Sequence, residues 1–168
     1  TLEDTSSLTA TKLKNQGSIV LASVDATLIS NEVGNVTTSV ADHMAEWTDG
    51  TYKVVEAFAK IGSTYYKTLQ AAVNAAKNGE TITLVNDVTE NVTLTEKADL
   101  YYTIDGAKKA MKGNITVNSL SDTNDNRRIT IKNINFVDDS DANVDFISSV
   151  NTNHYPRLTV EGCSFTGS

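Results

Sequence analysis

The densest chemistry in the sequence is acidic. The stretch VDDSDANVD, residues 137–145, gathers Asp138, Asp139, Asp141 and Asp145. Carboxylates so close together offer hard oxygen ligands to Ca²⁺, with Asp138, Asp139 and Asp141 the tightest set. They could also supply the paired carboxylates that cleave a polysaccharide by general acid–base chemistry. The spacing is not that of an EF-hand, which needs Gly at its sixth position and Glu at its twelfth. A solvated loop leaving a strand accounts for the cluster more simply, so Ca²⁺ is the only cofactor the sequence suggests, and only weakly. A little further on, NHYPR places His154, Tyr155 and Arg157 together. A ring that stacks and two groups that hydrogen-bond hydroxyls make a candidate carbohydrate contact, although a plain connecting loop reads the same way. Tyr65, Tyr66, Tyr101 and Tyr102 form two pairs that could serve as a sugar platform. Alternate members of each pair read equally as core and surface. His43 stands alone, and two distant histidines make no metal signature. No nucleophile stands beside a base in any recognisable spacing, so no catalytic residue is assigned.

Two further residue types have plainer explanations. Cys163 is the only cysteine, which excludes an internal disulfide and suits a small buried hydrophobe. Asn35, Asn91 and Asn114 head N-x-[ST] sequons, which a chain this rich in Asn and Thr also produces by chance.

Composition narrows the field. With 14 basic against 21 acidic residues the net charge is −7, which repels phosphate backbones and anionic lipid. No stretch approaches the roughly 18 apolar residues that span a bilayer. Nucleic acid and membrane insertion are therefore not expected. Thr and Val favour strands, Asn, Ser and Gly favour turns, and only one Pro, one Trp and four Phe are present. That is the balance of a long, thin β protein. The 168 residues suffice for one domain and a small appendage. The first residue is Thr and no leader precedes it, so the chain is expected to be a piece of something longer, truncated after residue 168.

The elements that would position these groups follow from periodicity. Residues 1–17 read as a linker or edge segment. Strands are expected at 18–24 and 26–30, and a short helix at 39–47 from Val40, Met44 and Trp47 at i, i+4, i+7. TDGT at 48–51 is a turn, followed by a strand over 52–62, a turn at Gly62–Ser63 and a short strand at 64–66. The best helix is 67–80: Thr68 caps it, Leu69, Ala72, Val73 and Ala76 form its apolar stripe, and Asn78–Gly79 stop it. Leu69, Val73 and Ala76 should face the interior, and Gln70, Asn74 and Lys77 water. Beyond it the period switches to two, with short strands from 81 to 165. Two of these stretches match: ITIKNINF at 129–136 and LTVEGCSF at 158–165. The match sets Ile129 over Leu158, Ile131 over Val160, Ile134 over Cys163 and Phe136 over Phe165. Asn133 and Gly162 fall at a shared bend. Repeated short strands with polar turns suit a solenoid, whose coils stack at the 4.7–4.9 Å strand spacing.

Residues 61–94, IGSTYYKTLQAAVNAAKNGETITLVNDVTENVTL, resemble the opening unit of β-helical domains in surface proteins of gut Gram-positive bacteria. More broadly they resemble the pectate-lyase-like superfamily. The resemblance covers residues 48–168 and implies a right-handed parallel β-helix at 61–168, its N-terminal end covered by a capping helix. Residues 1–60 would be a small α+β appendage. It implies an extracellular module on a bacterial cell surface, binding carbohydrate or a protein of a host or neighbouring cell. It also implies an open end able to associate with another chain. The superfamily's enzymes use an acidic calcium site with Arg or Lys, or an Asp trio with a nearby Gly-His-Gly. This chain has Arg127, Arg128 and Arg157 but neither of the latter signatures, which favours binding over catalysis. The alternatives are a polysaccharide lyase or hydrolase with its site on later coils, and a phage or filament fibre.

Overall fold

The computed structural model describes residues 7–10 (backbone only), 18–30, 34–95, 100–118, 128–140, 145–150 and 158–167. It is mostly β, and the chain divides between Ala57 and Phe58, against the 60/61 division expected from the sequence. The two units are described separately.

The N-terminal unit contains β1 (Ser7–Ala10), β2 (Ile19–Leu21), β3 (Thr27–Ser30), β4 (Val36–Thr38), β5 (His43–Thr48) and β6 (Thr51–Glu56). One sheet runs β1-β3-β6-β5 and a second pairs β2 with β4. Leu21, Ala26, Leu28, Tyr52 and Val54 make the core. The helix expected at 39–47 is not there: His43–Thr48 is a strand. Asp42 has a left-handed φ of 56°, which interrupts a right-handed helix in mid-course. The Asp49–Gly50 turn, with both residues left-handed, folds β5 back on β6 over six residue pairs. Trp47 then stands opposite Tyr52, and its indole N–H donates to the Ser30 carbonyl at 3.1 Å. Cross-strand pairing outweighs a three-residue helical stripe. Among its described residues the appendage is therefore all-β, not α+β.

The C-terminal unit starts with a hairpin, β7 (Ala59–Ile61) and β8 (Thr64–Tyr66), and one helix, α1 (Leu69–Ala75). The strand expected over 52–62 is thus broken at the unit boundary. Eleven short strands follow: β9 (Thr81–Leu84), β10 (Val88–Thr89), β11 (Val92–Thr95), β12 (Tyr101–Asp105), β13 (Ala110–Lys112), β14 (Ile115–Asn118), β15 (Arg128–Lys132), β16 (Asn135–Val137), β17 (Ile147–Ser149), β18 (Leu158–Glu161) and β19 (Ser164–Thr166). They fall into three sheets, β18-β15-β12-β9-β7-β8, β10-β13-β16-β19 and β11-β14-β17. From β9 onward the chain visits first, second and third sheet in the same order, and every pairing among β9–β19 is parallel.

Alternation at period two sends one face of each strand inward, and the register stacks those faces into columns. Ile82, Ile104, Ile131 and Val160 form one; Val88, Met111, Phe136 and Phe165 form another. Val92, Ile115 and Ile147 form a third. The matched segments 129–136 and 158–165 are parallel neighbours, as their shared pattern requires. Phe136 and Phe165 stack with centroids 5.2 Å apart and planes 1° from parallel. Asn133 (φ 56°) and Gly162 (φ 60°) both take the left-handed bend. The expectation that all eight stack residues lie inside needs one correction. Ile129, Ile131, Ile134 and Phe136 are buried, but Val160 is 41 % and Phe165 52 % exposed. Their register is right, yet no described residue covers the far side of β18 and β19. Phe146, expected within a strand over 144–147 and found just before β17, tilts against both rings.

The helix is shorter than its sequence pattern, ending at Ala75 because Ala76 turns extended (ψ 140°). Thr68 caps it, accepting from the Ala71 N–H at 3.0 Å. Leu69, Ala72, Val73 and Ala76 are buried, closing the apolar interior beside β9–β11. Gln70 does not simply face water. Its amide accepts from the Thr93 N–H at 2.7 Å and donates to the Thr93 carbonyl at 3.0 Å. It thereby takes the place of a missing strand beside β11. Glu90 accepts from the Leu69 N–H at 2.7 Å, so the bend before β11 satisfies a free helix donor.

Candidate functional site

The outer face of the first sheet carries the strongest site. On β12, Tyr101 and Thr103 point outward while Tyr102 and Ile104 point in. Tyr101 is 49 % exposed and Tyr102 is 3 % exposed. Pairing of β12 with β15 sets Tyr101 beside Arg128 and Thr103 beside Thr130. Thr81 and Thr159 continue the threonine column on either side. The turn after α1 rises along the edge of this face. The Gly79 N–H donates to the Tyr101 carbonyl at 2.8 Å, and the Tyr101 N–H donates to Asn78 Oδ1 at 3.1 Å. The Thr103 N–H donates to the Glu80 carbonyl at 3.0 Å. Turn and strand enclose an open groove of about 730 Å³, floored by Thr103 and Thr130 and walled by Tyr101, Glu80 and Arg128.

The platform is set in place by a glycine. Gly79 has φ +77°, and a Cβ there would stand 3.4 Å from the Tyr101 hydroxyl oxygen. The ring thus packs beside bare main chain, and the residue is half exposed. Glu80 Oε2 accepts from the Lys77 N–H at 2.7 Å, which holds the carboxylate at the turn. Arg128 forms no ion pair with another described residue and is exposed. Along the next outward column, Asp105 meets Lys132 at 3.3 Å. Burial pushes the Asp105 carboxyl up, but the Ala107 N–H, the Asn133 amide and Lys132 together outweigh it and hold it below its ordinary value.

The residues singled out in the sequence are distributed as follows. His154, Tyr155, Arg157 and Asp141 lie outside the described residues. Asp139 pairs with Lys112 at 2.7 Å, both side chains being exposed; hydrogen bonding to Lys112 lowers the carboxyl and raises the ammonium. Asp138 Oδ1 accepts from the Ser140 N–H at 2.9 Å and its hydroxyl at 2.6 Å, a local turn. Among the described residues no group of three or more potential metal ligands occurs. Cys163 is free and half-buried, packs on the core, and its thiol lies 3.8 Å from the Ile131 carbonyl. Asn91 Oδ1 accepts from the Asn114 main-chain N–H at 3.0 Å, so the Asn91 side chain links two successive bends. Tyr65 and Tyr66 are both half-buried, the former under Lys60 with its Nζ 5.8 Å from the ring centre.

Sequence reasoning named Tyr101 and Arg128 but could not join them, because their proximity depends on the β12–β15 register. In sequence Asn78–Gly79 marks only a helix stop. The threonine column was legible as strand composition and not as a surface.

Compared with models of known protein families, with curated proteins and with solved structures, the chain has no match. Among the described residues no helix is long and apolar enough to cross a membrane.

Proposed function

We propose that residues 58–168 are a right-handed parallel β-helix serving as a non-catalytic module of a bacterial surface protein. It displays a binding face toward carbohydrate or toward a protein on a host or neighbouring cell. The observation that carries this reading is the in-register ladder: three sheets visited in a constant order, with columns such as Val88, Met111, Phe136 and Phe165 stacked turn on turn. Right-handedness follows from the general preference of parallel crossovers. Stacked turns build a rigid rod from local contacts, whose outward faces are free for recognition. The exposed Val160 and Phe165, with outer edges of β18 and β19 that no described strand pairs, mark the end at which a further turn or another chain would add.

The test uses beads coated with the purified chain, passed over surfaces bearing mucin, plant polysaccharide, intact host or neighbouring cells, or serum albumin. Retention on mucin, polysaccharide or cells but not albumin, with no sugar released from polyuronates with or without Ca²⁺, is the expected result. Turnover of any polysaccharide overturns the reading, as does failure to be retained on mucin, on polysaccharide and on intact host or neighbouring cells alike.

A further inference from the structure

The geometry of the first sheet's outer face points to a binding site for a neutral glycan, with Tyr101 as its stacking platform. This deepens the surface-module reading above and rests on it. Three independent features converge. First, the aromatic ring is prepositioned. Tyr101 is 49 % exposed and lies beside Gly79, whose φ of +77° disfavours a side chain, while the Tyr101 main chain is bonded to Asn78 and Gly79. A ring fixed in that way offers a flat apolar surface with a polar tip at low entropic cost. The C–H face of a pyranose is the natural complement to such a surface.

Second, the polar lining mixes donors and acceptors. Glu80 accepts, Arg128 donates, and the Thr103 and Thr130 hydroxyls do both. An anionic ligand would satisfy Arg128 but face Glu80, and a cationic one would do the reverse. A sugar hydroxyl both donates and accepts, so a neutral polyol can satisfy every group in the groove. Third, the lining repeats. Thr81, Thr103, Thr130 and Thr159 are successive register partners, so hydroxyls recur at the strand spacing of about 4.7–4.9 Å. A groove of about 730 Å³ lies within the range of small-ligand sites and accommodates a short stretch of a linear chain lying across the strands.

The experiment screens the full chain against neutral oligosaccharides of glucose, mannose, xylose and N-acetylglucosamine, with oligogalacturonates as the charged comparison. Binding is quantified by calorimetry. At least one neutral oligosaccharide should bind more tightly than any oligogalacturonate. Tyr101→Ala should raise its Kd by about tenfold or more while leaving hydrogen-exchange protection of β12 and β15 unchanged. Should that variant lose its fold, Thr130→Val carries the test, with a several-fold weaker affinity expected at constant protection. The proposal is overturned if no neutral oligosaccharide binds at millimolar concentration, if the uronates or only a protein partner bind instead, or if neither substitution changes affinity. Beads bearing Tyr101→Ala that still adhere as before would sink this site while leaving the surface-module reading in place.

Discussion

Phe136 and Phe165 are register partners in the parallel strands β16 and β19, and removing each ring should have different consequences. Phe136 is fully buried and Phe165 is 52 % exposed. Phe136 stacks on Phe165 at 5.2 Å and meets Phe146 at 5.8 Å. Phe136→Ala removes both ring contacts and leaves a cavity walled by neighbours on either side, an expected loss of about 3–5 kcal/mol. Fully burying a phenylalanine stabilises by about 1.5–3 kcal/mol, so half-burial of Phe165 contributes roughly half of that. Adding its stack, about 0.5–1.5 kcal/mol, brings Phe165→Ala to about 1.3–3 kcal/mol. The loss should be read by native-state hydrogen exchange of β13 and β16. Exchange is chosen because the only tryptophan, Trp47, belongs to the N-terminal unit. Phe136→Ala should speed exchange there by roughly two to four decades, and Phe165→Ala by roughly one to two. Equal losses for the two, or a Phe136→Ala loss below about 1 kcal/mol, would refute the stacked-turn account of the core.

Val73 is 6 % exposed on the helix stripe, so Val73→Asp should cost about 3–5 kcal/mol by burying an unpaired charge, measured as a lower urea midpoint for the C-terminal unit. Gln70→Ala, which removes both bonds to Thr93, should cost about 1–3 kcal/mol and speed exchange of the Thr93 amide first. A Cβ on Gly106 would stand 2.5 Å from Ile134 Cγ1 and 2.6 Å from the Asn133 carbonyl oxygen, whereas one on Gly167 meets nothing within 4 Å. Gly106→Ala should therefore destabilise by about 1–3 kcal/mol, and Gly167→Ala should stay within about 0.5 kcal/mol of the parent. The Asp105 carboxyl is held below its ordinary value in the folded chain, so its contribution is complete above the unfolded value of about 3.9. That contribution is lost as pH falls through the folded one. Acid titration of Asp105→Asn should show a flatter decline below about pH 4 than the parent; an unchanged slope would mean the carboxyl is not stabilised by its partners.

What could be read before folding was whatever depends on neighbours along the chain. The period-two alternation of Ile129, Ile131, Ile134 and Phe136 set their inward faces, and the left-handed preference of Asn and Gly located the bend at Asn133 and Gly162. Thr68 as helix cap and the Leu69–Ala76 stripe were legible for the same reason, since capping and amphipathicity are local. Tertiary structure decided the remainder. The stretch around Val40, Met44 and Trp47 has a helical spacing, yet six cross-strand pairs with β6 make its last part a strand; local propensity is worth tenths of a kcal/mol per residue and pairing outweighs it. Gln70 reads as a solvent-facing residue of its helix and instead completes a ladder on β11, because the partner strand comes from 23 residues away. The groove follows the same rule. Tyr101, Gly79 and Arg128 are ordinary residues in sequence, and only the register of β12 against β15, set by the buried faces of those strands, brings a tyrosine, an arginine and two threonines onto one surface.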